Sequence, residues 1–134
     1  MDAPTDRLID QRLRNRIIEA VHILSKGDEG VRQVWPDEYF ESFYDFIPHR
    51  DDGEMQQNSA MTIEERTALL EVRDILDTAC DATPQQMEAE EFIATGWPSK
   101  VQPIARNALS LMLRRGRFDE KAEEIEPSFK GKWP

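Results

Sequence analysis

The stretch "VWPDEYFESFYDFIPHRDD", Val34 to Asp52, decides how the chain folds. It holds six of the chain's eleven aromatic residues, Trp35, Tyr39, Phe40, Phe43, Tyr44 and Phe46, together with six acidic ones. Wound as a helix and measured from Tyr39, the aromatic residues and Ile47 fall between roughly −40° and +140°. Asp37, Glu38, Glu41, Ser42 and Asp45 fall between roughly 160° and 300°. The two sets do not interleave, so the stretch reads as an amphipathic helix with an aromatic inner face and an acidic outer one. The aromatic arc is broader than a surface helix needs, which places its Tyr44 edge near solvent. Pro48 ends the helix.

Helical periodicity continues on both sides. Ile9, Leu13, Ile17, Ala20, Val21 and Leu24 share a face of a helix from Asp6 to about Lys26, stopped at Gly27. Asp28 is placed to cap a short helix that ends at Trp35, before Pro36. After a polar loop over residues 48–61, Thr62 and Glu65 form a capping box for a helix to about Ala79, with Leu69, Val72, Ile75 and Leu76 inward. Two more boxes are expected, at Thr83 with Gln86 and at Ser99 with Gln102. The first opens a helix ending at Gly96. The second opens one closed by Gly116, with Pro103 in its first turn. A short acidic helix is expected over residues 119–126. No alternating strand pattern occurs. The fold class is all-α, a compact bundle of six to seven irregularly packed helices, with one domain over residues 1–126 and an irregular tail over 127–134.

Each of the three tryptophans precedes a proline, Trp35-Pro36, Trp97-Pro98 and Trp133-Pro134. Asp37 and Ser99 follow the first two as N-cap residues, so each tryptophan is expected to staple the helix it introduces. Either isomer of these bonds is compatible with the sequence.

The chain has 134 residues and a formal net charge of −10. The charge is uneven: residues 28–98 carry four basic and eighteen acidic side chains, while both ends are mildly basic. An acidic block repels nucleic acid and anionic membranes and attracts basic proteins. With one cysteine no internal disulfide forms, no secretory pattern is seen, and no apolar run is long enough to span a bilayer. A reduced, cytoplasmic setting is the expectation.

Catalytic and metal motifs are missing. Two histidines and one cysteine exclude His-rich and CxxC metal sites, and no nucleotide-binding or hydrolase motif is present. The best catalytic candidate is the loop cluster His49, Arg50, Asp51, Asp52 and Glu54, where an imidazole beside carboxylates could act as a base or bind a divalent metal. Cys80, beside Asp81, reads as a small inward hydrophobe with a dulled thiol. His22 is expected in solvent. Arg12, Arg16 and the "RRGRF" run at 114–118 read as ion-pairing partners for the acidic block.

These features favour a non-catalytic module without cofactor or metal, docking a basic partner protein as inhibitors, immunity proteins and adaptors do. The expected contact residues are Asp37, Glu38, Glu41, Tyr44 and Asp45, with Asp51 and Asp52 at the rim. Two readings compete. One is a small enzyme or metal-dependent protein using the loop around His49. The other is a homo-oligomeric module that self-associates through the aromatic face or the tail.

Overall fold

Thr5 starts the first helix by accepting the Leu8 N–H on its hydroxyl at 3.2 Å. The computed structural model describes residues 3–84 and 86–128. Among them six helices occur and no strand. They are α1 (Asp6–Ser25), α2 (Asp28–Val34), α3 (Glu38–Tyr44), α4 (Ile63–Asp81), α5 (Ala89–Ala94) and α6 (Trp97–Arg115). The all-α expectation holds. None of these helices is long and apolar enough to cross a membrane.

The long helix α6 lies between α1 and α4, and these three supply most of the core. Ile18, Val21 and Leu24 of α1, Leu69, Val72 and Leu76 of α4, and Val101, Ala105 and Met112 of α6 are buried together. Helices α2, α3 and α5 close one side, with α3 resting on α1 and α5 on α2 and α6. Gly27 ends α1 at φ 60°, a left-handed conformation that only glycine takes cheaply. Gly30 lets α2 lie against the end of α1, because a Cβ there would collide with the Ile23 carbonyl oxygen.

The capping box at Thr62 forms as expected: Thr62 Oγ1 accepts from Glu65 N at 3.1 Å, and Glu65 Oε1 accepts from Thr62 N at 3.0 Å. Other boundaries differ from expectation. Gly27, not Asp28, is the N-cap of α2. Helix α3 stops at Tyr44, and a turn carries the chain on to the buried Ile47. No cap forms at Thr83, whose hydroxyl instead donates back to the Ala79 carbonyl at 2.6 Å. The next helix begins at Ala89, with Glu88 and Glu91 making the box. Helix α6 starts at Trp97, so Ser99 lies inside it and Pro98, not Pro103, occupies the first turn. Gln102 reaches out of α6 to donate to the Ser25 carbonyl at 3.3 Å. The Trp35–Pro36 bond is cis. Trp133 lies outside the described residues.

Residues 119–126 are not helical. They are held open by buried Gln11, whose Nε2 donates to Asp119 O at 2.8 Å and Ala122 O at 3.0 Å while its Oε1 accepts from Glu124 N at 2.9 Å. Asp119 Oδ1 also accepts from Lys121 N and Ala122 N at 2.6 and 2.9 Å, a turn that competes with helix. The inward face of α1 is accordingly more polar than its periodicity indicates. Gln11, Arg14 and Asn15 are buried, whereas Ile9 and Leu13 are exposed. His22, expected in solvent, is half-buried, and burial followed by the charge of Lys26 lowers its pKa.

Candidate functional site

The aromatic side of α3 and the turn after it packs onto the core, with Phe40, Tyr44 and Phe46 half-buried. Tyr39, Phe43 and Ile47 are fully buried. Trp35 stacks on Phe92 with centroids 4.6 Å apart, and its Nε1 donates to the Met87 carbonyl at 2.7 Å. Phe40 packs edge-on against Tyr39 and tilted against Phe92. Offset and edge contacts of this kind favour aromatic clusters beyond the area they bury. The tail at residues 129–133, an alternative surface for self-association, lies outside the described residues.

The opposite side of α3 carries Asp37, Glu38, Glu41 and Asp45, all exposed. None of them takes part in an ion pair among the described residues. The sequence explains why. Arg50 is the only lysine or arginine between Arg32 and Arg66, and it is committed to α4. Its guanidinium pairs with Asp77 at 3.3 Å and Asp81 at 2.6 Å.

That pairing belongs to a network that pins the loop after α3 onto the end of α4. Asp77, fully buried, accepts from the Tyr44 hydroxyl at 2.7 Å and from Arg50 N at 3.2 Å. Asp81, one turn later, bonds His49 Nε2 at 2.8 Å. The His49 Nδ1 accepts from Asp51 N at 3.1 Å, so Nε2 carries the proton and donates it to Asp81. Both ring nitrogens of the candidate base are thus engaged. Bonds from Arg50 first, and from His49 second, hold the Asp81 pKa below its ordinary value. Burial first, and the bond to Asp77 second, push the Tyr44 phenol far above its own.

The expected contact residues therefore divide. Asp37, Glu38, Glu41 and Asp45 form one exposed row. In the loop that follows, Asp52 is exposed and in no ion pair among the described residues, as is Glu54, and Asp51 sits 3.8 Å from His49. Tyr44 is half-buried with its hydroxyl committed to Asp77. Asp77 and Asp81 were not singled out from sequence. Their signal is a pair of carboxylates one helical turn apart on α4.

Cys80 is partly buried, and burial followed by Asp81, Asp77 and Asp52 raises its thiol pKa, which weakens it as a nucleophile. No group of three or more His, Cys, Asp or Glu side chains among the described residues is arranged to hold a metal ion. Several arginines of the basic ends are turned to internal use, whereas Arg114 of the 114–118 run is exposed and in no ion pair among the described residues. Arg16 and Arg117 meet Glu120 and Glu19, and Arg115 meets Glu65 at 2.8 Å. Arg7, Arg14 and Arg115 surround the Phe118 ring at 5.2 to 5.5 Å.

Comparison of the chain with protein-family models, with curated proteins and with solved structures returns no match. The function must be argued from these side chains.

Proposed function

We propose that the protein is a non-catalytic binding module that docks a basic partner protein on the outer face of α3. The observation that carries this reading is the exposed row Asp37, Glu38, Glu41 and Asp45, in no ion pair among the described residues, while Arg50 is already committed to Asp77 and Asp81. Carboxylates with no internal counter-charge repel one another. A cationic surface relieves that repulsion and is steered toward it. The rigid aromatic packing beneath α3 holds the row in place, so little ordering cost accompanies binding.

The test is capture from native lysate at about 50 mM and about 500 mM salt, with the wild type beside the Glu38→Lys/Glu41→Lys variant. The expected result is a basic protein retained at low salt, weakened at high salt, and lost with the variant while its circular dichroism is unchanged. Capture of the same proteins by wild type and variant would overturn the reading.

A further inference from the structure

Among the described residues, four large hydrophobic side chains are exposed: Ile9 at 40%, Leu13 at 37%, Ile63 at 83% and Ile125 at 85%. Two of them gather at one place. A cleft of about 190 Å³ lies between α1 and the chain after α3, with Ile17 and Met55 as its floor and Leu13, Phe46 and Met61 as walls. It runs into a more open trough of about 630 Å³ that ends at Asp10 and Ile63. The two depressions share Met55, Gln57, Asn58 and Met61. Ile9 stands one turn before Leu13 on α1, next to Asp10.

The charge lining this trough is net acidic, two carboxylates against one guanidinium. Asp45, the end of the α3 row, is itself part of the cleft wall, and Asp10 lines the far end. The one cation there, Arg66, donates to the Met55 carbonyl at 3.3 Å. Along α1 the lining runs from Asp10 to Ile17, about 10 Å at the helical rise, which matches two turns of a guest helix. The cleft volume suits one large aliphatic side chain. Apolar grooves of this length take amphipathic helices through side chains at i, i+3, i+4 and i+7.

We propose that this trough seats the apolar face of a basic amphipathic helix from a partner protein. A leucine-sized anchor enters between Leu13, Ile17, Phe46 and Met61, and flanking lysines or arginines lie along Asp45, Glu41 and Glu38. The inference rests on the docking reading above and gives that partner a shape. Charge on α3 sets the approach, and the cleft sets which basic segments stay.

The test uses three synthetic helical peptides observed by amide chemical-shift changes in the labelled full chain. One carries leucines at i, i+3, i+4 and i+7 on a lysine background, one replaces its leucines with lysine, and one replaces its lysines with glutamate. The expected result is that the Lys/Leu peptide moves signals of residues 13, 17, 45, 46, 55 and 61 together with α3. Leu13→Glu should weaken it at least tenfold, while Ile125→Glu, at a more exposed isoleucine outside the trough, should leave it unchanged. If the leucine-free peptide binds as well, with shifts confined to α3, the groove inference falls and the charge-docking reading stands. If the Glu/Leu peptide fills the cleft as tightly as the Lys/Leu peptide, the basic character of the occupant is overturned. If no peptide binds, both readings fall.

Discussion

Arg14 of α1 and Glu65 of α4 form an ion pair with both side chains buried, Nη2 to Oε2 at 2.6 Å. Glu65 is also the capping-box residue of α4 and the partner of Arg115, and Arg14 also donates to the carbonyls of Met112 and Gly116. One contact thus joins the start of α4, the middle of α1 and the end of α6. Burial lowers the Arg14 pKa while the bond to Glu65 raises it, so the carboxylate is what offsets the desolvation of the guanidinium. Removing one partner of such a pair leaves an uncompensated buried charge, at a cost of about 3–5 kcal/mol. Glu65→Gln is expected to lose that much in urea unfolding. A double-mutant cycle with Arg14→Met should give a coupling well above the ~1 kcal/mol of an exposed pair. A loss under ~1 kcal/mol would show the pair to be solvated.

Gln11 acts as a piece of backbone for residues 119–124, supplying two donors and one acceptor to main-chain groups there. Gln11→Ala leaves these groups without their buried partner, which costs about 1–3 kcal/mol. Amide exchange should read this locally, with Glu124 N–H accelerated more than the amides in the middle of α4, which report global unfolding. Equal acceleration everywhere would mean that the substitution acts on global stability and not on this segment.

These polar clamps mark the limit of what the sequence discloses. Helices α1, α4 and α6 are legible because their apolar residues recur at helical spacing, and Thr62 with Glu65 announces the start of α4 by local chemistry. The burial of Gln11, Arg14 and Asn15 is not legible, because their partners lie 50 or more residues away and nothing local separates a clamping glutamine from a solvated one. The same reason explains residues 119–126, whose helical composition is overridden by Gln11. At the candidate site the acidic row follows directly from the helical angles of α3. Tyr44 does not, since its partner Asp77 is 33 residues distant. The apolar trough also escaped, because Leu13 reads as core from its spacing and only packing reveals that it is open.

Asp81 gives the loop after α3 an acid-sensitive anchor. Its folded-state pKa lies below the ordinary value because the charged form is held by Arg50 and then by His49. The unfolded chain keeps the usual value of ~3.9, so the stabilisation is present above that pH and is lost as pH falls through the lower folded-state pKa. Asp81→Asn should therefore melt below the wild type at neutral pH, with the gap narrowing as pH falls below about 4. A gap that stays constant down to the acid limit would show that the carboxylate charge plays no part in holding the loop.

Tyr39 and Tyr44 are the chain's only tyrosines, so tyrosinate absorbance reports on them alone. Burial raises both phenol pKa values, followed for Tyr39 by the charge of Asp28 and for Tyr44 by the bond to Asp77. An unfolded chain ionises its tyrosines near pH 10, whereas the folded chain keeps both protons beyond that point. Stability is then undiminished by tyrosine below about pH 10 and drains away from there toward the folded-state values. On alkaline titration, absorbance near 295 nm should stay flat through the usual range. It should rise only together with the loss of helical circular dichroism, because unfolding frees both phenols at once. One tyrosine ionising near pH 10 with the helices intact would place its hydroxyl in solvent. If that residue were Tyr44, identified by repeating the titration on Tyr44→Phe, the link from α3 to Asp77 would be broken, and the acidic row would stand on a looser support than its aromatic packing implies.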